Sequence, residues 1–256
     1  FLVTVRTGSP WLGLLGALVA GGLMALIHAV LCVGLRANQV VSGLALTLFG
    51  TGLSGYLGKP LIGVPAPSTF RAINVPLLGD IPILGPVVFG HDYLVYISYL
   101  LVPFLWFFLY RTRPGLHMRS VGENPAAADA MGINVVWTRY IYTVAGGMLA
   151  GAGGAYLSLA YAPTWLENMT GGRGWIAVAL VIFAGWNPLV ALGGSYLFGG
   201  VDALGLRIQA VGTVVPSFFL SMLPYVFTIL VLLVSARGRR LAAPGALGLA
   251  YDREGH

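Results

Sequence analysis

Apolar residues fall in long blocks, separated by shorter polar or proline-rich stretches. A helix that crosses a membrane needs about 20 apolar residues, with a range of about 17–25. Trp11–Leu35 meets this requirement without a formal charge. Val40–Leu57 is weaker and carries Gly43, Gly50, Gly52 and Gly55. Tyr93–Tyr110 is rich in aromatic residues, and Tyr140–Ala162 is uncharged. Trp175–Val201 is long, but Asn187-Pro188 divides it, because proline disfavours helix at the residue before it. Two shorter helices are expected there, near 175–186 and 189–206. Val214–Ala236 is uncharged and holds Pro216 and Pro224. The pattern predicts an all-α fold: a polytopic membrane helical bundle of about seven membrane segments, some broken or short. It forms a single transmembrane domain over residues 1–256.

Between the blocks, residues 58–92 contain Pro60, Pro65, Pro67, Pro76, Pro82 and Pro86, which is not a helix pattern. A connection of this length usually has a function of its own. Ile81–Val88 is apolar enough to dip into the membrane interface.

Composition sharpens the class. Hydrophobic residues make up 57% of the chain and charged residues 9%. An ordinary soluble domain carries roughly 25% charged residues. Intrinsic disorder is excluded by the hydrophobicity. A disulfide scaffold is excluded because Cys32 is the only cysteine. The net charge of +6 has a topological reading, in which basic loops lie on the cytoplasmic side. No nucleic-acid partner is expected; the lipid bilayer is. Arg36, the 111–139 loop (Arg111, Arg113, Arg119, Arg139) and the 237–256 tail (Arg237, Arg239, Arg240, Arg253) are placed inside. Arg6, Lys59, Arg71, Arg173 and Arg207 then lie outside, as does the 58–92 loop. The first residues lack the pattern of a signal peptide. With Phe1 outside, the domain is expected to be N-terminally truncated, an odd number of helices preceding it if the native N-terminus is cytoplasmic.

Candidate chemistry inside the spans is sparse. Gly147 and Gly151 form a GxxxG pair, and Gly146, Ala150 and Gly154 a second row of small residues, both of which favour close helix packing. Charges are nearly absent from the spans. Proton pumps and ion channels usually carry them. Neutral polar residues remain: Asn38, Gln39, Ser42, Thr47, Thr51, Ser54, Ser158, Asn187, Ser195 and Gln209. They suit an uncharged polar solute, although each also has a plain reading as a partner for a neighbouring helix. His28 reads as a packing residue, with no second His, Cys or acid at metal-ligand spacing. Gly52-Leu53-Ser54-Gly55 matches the GxSG element of rhomboid proteases. A serine nucleophile needs a base, and the later histidines (His91, His117, His256) lie in loops or at the end. No phosphate-binding loop is present.

The most informative stretch is Val121–Ile133. Asn124 is a helix N-cap type, Pro125 suits the first helical position, Ala126–Ala128 and Ala130 favour helix, and Gly132 stops it. A helix of about two turns is expected, flanked by irregular segments. Such a helix is too short to stabilise itself. Its small side chains offer a smooth surface to a partner, and Glu123 and Asp129 can meet basic groups there.

The run Gly-Glu-Asn-Pro-Ala-Ala-Ala-Asp-Ala-Met-Gly-Ile at 122–133 resembles the coupling-helix loop of ABC importer permeases, nearest the simple-sugar and nucleoside branch (branched-chain amino acid/ribose type). The stretches at 37–43, 50–54, 171–177 (Gly-Gly-Arg-Gly-Trp-Ile-Ala) and 183–188 (Phe-Ala-Gly-Trp-Asn-Pro) agree with it. The resemblance covers about residues 9–240. It implies a permease subunit in the cell membrane, paired with a second permease subunit, a different chain. It also implies two cytoplasmic ATP-binding cassette subunits that hold ATP and Mg, and an extracytoplasmic solute-binding protein. No cofactor is expected on this chain and no catalytic residue. Glu123, Asn124, Pro125, Ala127, Ala128 and Gly132 would carry coupling to the ATPase. Asn38, Gln39, Ser42 and Thr47 are candidates for the translocation pathway. The alternative is a stand-alone secondary carrier or channel for a polar solute.

Overall fold

The computed structural model describes residues 1–73, 89–212, 216–237 and 243–252. Ile81–Val88 and Arg239, Arg240 and Arg253 lie outside the described residues. Among those described, regular structure is helical, with only isolated β-bridges in loops. The helices are α1 (Leu2–Thr7), α2 (Pro10–Ala29), α3 (Gln39–Gly58), α4 (Tyr93–Arg111), α5 (Arg113–Glu123), α6 (Pro125–Ala130), α7 (Val135–Tyr156), α8 (Arg173–Phe183), α9 (Pro188–Ala210) and α10 (Ser217–Arg237). A π-turn extends α2 through Val30–Gly34, and another extends α7 through Leu157–Tyr161.

Where it is described, each block expected to enter the membrane is helical. Among the described residues, five helical stretches are long and apolar enough to cross: Pro10–Gly34, Gln39–Leu61, Tyr93–Arg111, Val135–Tyr161 and Pro188–Ala210. By contrast α8 has 11 residues, about 16 Å, or half of a hydrocarbon core. Only 6% to 17% of the residues in the five spans are buried within the chain. Their apolar faces are therefore left for lipid or a partner subunit, as a membrane protein requires.

Two compact units are present. The first comprises Phe1–Leu100, Arg113–Thr170 and Ala246–His256; the second comprises Leu101–Thr112 and Gly171–Gly245.

In the first unit, α2 lies against α7 through glycine. A Cβ added at Gly151 would overlap the carbonyl oxygen of Ala17, and one at Gly147 would overlap the Ala25 side chain. Gly21 faces both glycines. The GxxxG row thus serves close packing. The second row does not: a Cβ at Gly146 or Gly154 would meet nothing within 4 Å, so this row faces outward. At one end of the unit, Trp11 packs edge-on against Phe70 at 4.9 Å. Phe70 joins Ala155 and Leu159 in a buried cluster. There the 58–73 segment meets the 162–166 loop, with Ala66 N donating to the Pro163 carbonyl at 3.1 Å and Phe70 N to that of Leu159 at 3.0 Å.

In the second unit, α8 and α9 are joined by a tight turn in which Gly185 and Trp186 have left-handed backbone. Asn187 then caps α9, its side-chain oxygen accepting from Leu189 N at 3.0 Å. The turn falls where Asn187-Pro188 predicts it. Phe198 of α9 packs edge-on with Phe227 of α10 at 5.2 Å. Tyr225 of α10 donates its hydroxyl to the Gly171 carbonyl at 2.5 Å, holding the glycine-rich start of α8.

One expectation needs correction. The segment before the short loop helix is not irregular. It is α5, which begins with Pro114 in its first turn and buries Gly115 and Val121. Positions 115, 118 and 121 fall on one face of a helix, and the polar Arg113, His117 and Arg119 lie off it. Charge in the spans is sparse, as expected, but present. The helix after Asn187 runs to Ala210 and takes in Asp202, whose carboxylate lies 3.5 Å from the Arg173 guanidinium. Pairing makes an acid tolerable within a membrane helix.

Candidate functional site

The short loop helix, α6, is built by its ends. The Asn124 side chain accepts from Ala127 N at 3.0 Å, and Pro125 occupies the first turn. At the other end Gly132 has φ +83°, so a side chain there would be strained. Its N–H donates to the Asp129 carbonyl at 2.9 Å. The next helix is capped in the same way, by Asn134 accepting from Trp137 N at 3.0 Å.

Six residues named for coupling divide into two groups. Glu123, Asn124, Ala127 and Gly132 are exposed, and Pro125 is half-buried. Ala128 points inward. It is 3% exposed and packs with Val121 and Val135, flanked by Ile133 and Tyr251. Ala128 therefore anchors α6, and Ala127 faces out. Met131, beside them, is 82% exposed. Burying one valine contributes about 1.5–3 kcal/mol, enough for this small cluster to hold a helix that could not stand alone.

The chain's tail joins this site, which local sequence signals do not disclose. Ala246 N donates to the Gly122 carbonyl at 2.9 Å. Arg139 donates to the Leu249 carbonyl at 2.8 Å. Arg36 and Asp252 form an ion pair at 2.6 Å, with both side chains about half exposed. Such a pair is worth about 0–1 kcal/mol by itself. A cavity of about 500 Å³ lies between the end of α2, the 129–137 segment and Tyr251. The structure thus gathers Arg36, residues 113–139 and residues 246–252 at one end of the first unit.

The four pathway candidates lie along α3 and at its N-cap. Asn38 caps α3, accepting from Val40 N at 2.9 Å and Val41 N at 3.1 Å. Gln39 is half-buried in the first turn. Ser42 is 6% exposed and lies 2.9 Å from His28 Nδ1. Cys32 Sγ lies 3.7 Å from the same nitrogen, so this trio ties α2 to α3. Thr47 is exposed and donates to the Gly43 carbonyl at 2.9 Å; Thr51 does likewise to Thr47 at 2.8 Å. Such bonds satisfy a hydroxyl within its own helix. Among the described residues, no group of three or more His, Cys, Asp or Glu side chains could hold a metal ion.

Comparison with known proteins gives this geometry its context. Residues 1–236 match the family model described as the branched-chain amino acid transport system / permease component. The chain is 42% identical to a putative glucose ABC transporter permease protein of Haloferax volcanii, over 99% of this chain and 84% of that protein. It is 37% identical to the guanosine ABC transporter permease protein of Bacillus subtilis, over 95% of this chain and 78% of that one. It is 38% identical to the nucleoside ABC transporter permease protein of Lactococcus lactis, again over 95% and 78%. No solved structure matches. With α6 capped and exposed between membrane helices, and the match running through every described helix but the last residue of α10, the chain belongs to the branched-chain amino acid transport system / permease component family.

Proposed function

We propose that this chain, a membrane-spanning permease subunit of an ABC importer, passes a neutral polar solute inward, a nucleoside or a simple sugar. An extracytoplasmic binding protein delivers the solute, and a second permease subunit completes the pathway. Separate subunits bind ATP and Mg and hydrolyse the nucleotide, and this chain contributes no catalytic group. The observation that carries the reading is α6, a two-ended capped helix that presents Ala127 outward from a packed base, with exposed Glu123 and Met131 just beyond its two ends. A short rigid element of this kind can pass a push from a cytoplasmic partner into α5 and α7. The printed names of the relatives, for glucose, guanosine and nucleosides, support the solute class.

The test is purification of the full-length protein from native membranes, with its partners identified by mass spectrometry, followed by uptake of glucose and of guanosine into vesicles. Recovery of an ATPase subunit with ATP-dependent uptake supports the reading. Recovery of the chain alone in a gentle detergent, with uptake that ignores ATP, would replace it with a secondary carrier. Glu123→Arg is expected to weaken association with the ATPase subunit by about tenfold, a reversed contact charge costing on the order of 1–2 kcal/mol, while membrane insertion is unchanged. Undiminished co-purification of the variant would remove Glu123 from the contact.

Topology has its own check. Positions 128 and 70 are 3% and 5% exposed, so a cysteine at either would label poorly. Met131 and Ile62 are exposed and lie at opposite ends of the first unit. In a Cys32→Ser background, a cysteine at 131 should label from the cytoplasm and one at 62 from outside. Labelling of both from one side would overturn the orientation.

A further inference from the structure

We propose that residues 246–252 form a strap that locks α6 to the inner end of α2, giving the push on α6 a second route into the helices besides α7. This rests on the coupling role proposed above. Three bonds and one side chain make the strap. Its start is held to the end of α5 by the Ala246–Gly122 bond, and its middle to α7 by Arg139 on the Leu249 carbonyl. Tyr251 packs on the cluster that contains Ala128, the inward residue of α6. Asp252 pairs with Arg36 at 2.6 Å.

Arg36 is the telling residue. It sits just past the π-turn that ends α2, with φ +55°. Ala37 N reaches back to the Leu31 carbonyl at 2.8 Å. This is a helix-ending turn whose left-handed position is normally glycine. A side chain held in that conformation needs a surrounding reason, and the bond to Asp252 supplies one. A cavity of about 500 Å³ lies beneath, between the end of α2 and the 129–137 segment. The strap adds a tie between them across this cavity, beside the direct packing of α7 on α2.

The groups acting here are positioning residues. They touch no solute, and their loss should separate ATP use from transport. The test uses the full chain assembled with its partner subunits in proteoliposomes, with glucose and guanosine as probes. A nitroxide at position 127, in the Cys32→Ser background, reports the motion of α6. Arg36→Gly keeps the turn and removes the charge; Asp252→Ala removes the other charge. Each is expected to mobilise the label and to lower uptake by roughly two- to fivefold, the reach of one half-exposed ion pair, while ATP hydrolysis continues. The exchanged pair Arg36→Asp/Asp252→Arg should restore both readouts. Tyr251→Phe should leave both unchanged and Tyr251→Ala should not, since the ring does the packing. Wild-type label mobility in Arg36→Gly and Asp252→Ala would overturn the strap, and so would full uptake in both. If the unaltered complex takes up neither probe, the solute assignment has failed. The spectra then decide the strap alone: mobilised and restored by the exchange supports it, unchanged overturns it.

Discussion

Gly151→Val will prevent the accumulation of folded protein, and Gly147→Val will do the same, whereas Gly153→Ala in the same helix will be tolerated. All three positions lie in α7, so a general intolerance of helical change does not separate them. Space does. A Cβ at 151 would overlap the Ala17 carbonyl and lie 3.3 Å from Gly21 Cα. One at 147 would overlap Ala25 and lie 2.6 Å from the Gly21 carbonyl oxygen. These are backbone or first side-chain atoms that cannot rotate aside. At Gly153 nothing lies within 4 Å. Extra methylenes in a well-packed interior cost about 1–3 kcal/mol even where side chains can yield. Valine adds three carbons against a backbone, so its effect lies beyond that range and consumes most of a typical stability of about 5–15 kcal/mol. Yield after solubilisation and the thermal unfolding midpoint measure it. Equal yields for Gly151→Val and Gly153→Ala would mean that α2 and α7 do not meet at this seam.

The seam also bears on transport. In a membrane, helices associate through close packing rather than through hydrophobic exclusion. The α2–α7 contact is therefore the rigid part of the first unit, and α6 is attached to it at α7 through the 131–134 segment. In the proposed coupling, a push on α6 meets a stiff pair of helices.

What could be read from the sequence was what lies close along the chain. Asn124, Pro125 and Gly132 mark the two ends of α6 within nine residues, and each acts through its own backbone neighbours. Asn187-Pro188 likewise sets the α8–α9 turn. The GxxxG row was legible as a packing surface, but its partner was not, since Gly21 and Ala17 carry no mark that singles them out. The helix α5 is hard to read because its buried face at 115, 118 and 121 is short and includes a glycine, so the periodic signal is faint. Contacts across long separations were invisible. Asp252 to Arg36 spans most of the chain, and Arg173 to Asp202 joins two helices. Polar residue type alone does not say which bond a side chain makes. Residue type marks Asn38, Ser42 and Thr47 as polar, and geometry spends them on a cap, on His28 and on a helix carbonyl.

Gly172→Ala will destabilise the protein, and Tyr225→Phe will relieve part of that loss. Gly172 precedes α8 with φ +80° and accepts from Trp175 N at 2.9 Å, so it is the cap of this half-length helix. Left-handed backbone costs a non-glycine residue about 1–2 kcal/mol. A Cβ there would also lie 2.7 Å from the Tyr225 hydroxyl oxygen and 3.3 Å from its ring. That hydroxyl is bound to the Gly171 carbonyl, so it cannot move away without giving up the bond. Tyr225→Phe alone loses a hydrogen bond, about 0.5–1.5 kcal/mol. In the double variant the oxygen that blocks the Cβ is gone, and only the backbone strain and the ring contact remain. The double variant should therefore be less destabilised than the sum of the two singles, by about 0.5–3 kcal/mol. Gly174→Ala, where nothing lies within 4 Å, is the control and should change little. Unfolding midpoints of the four proteins in one detergent decide the matter. Strict additivity would mean that Tyr225 does not sit over the glycine pair. The consequence reaches the neighbouring charge. Arg173 follows Gly172 directly, and its guanidinium meets Asp202 only while the start of α8 is held in place. A displaced cap would leave Asp202 unpaired inside a membrane helix, where an unpaired acid is expensive.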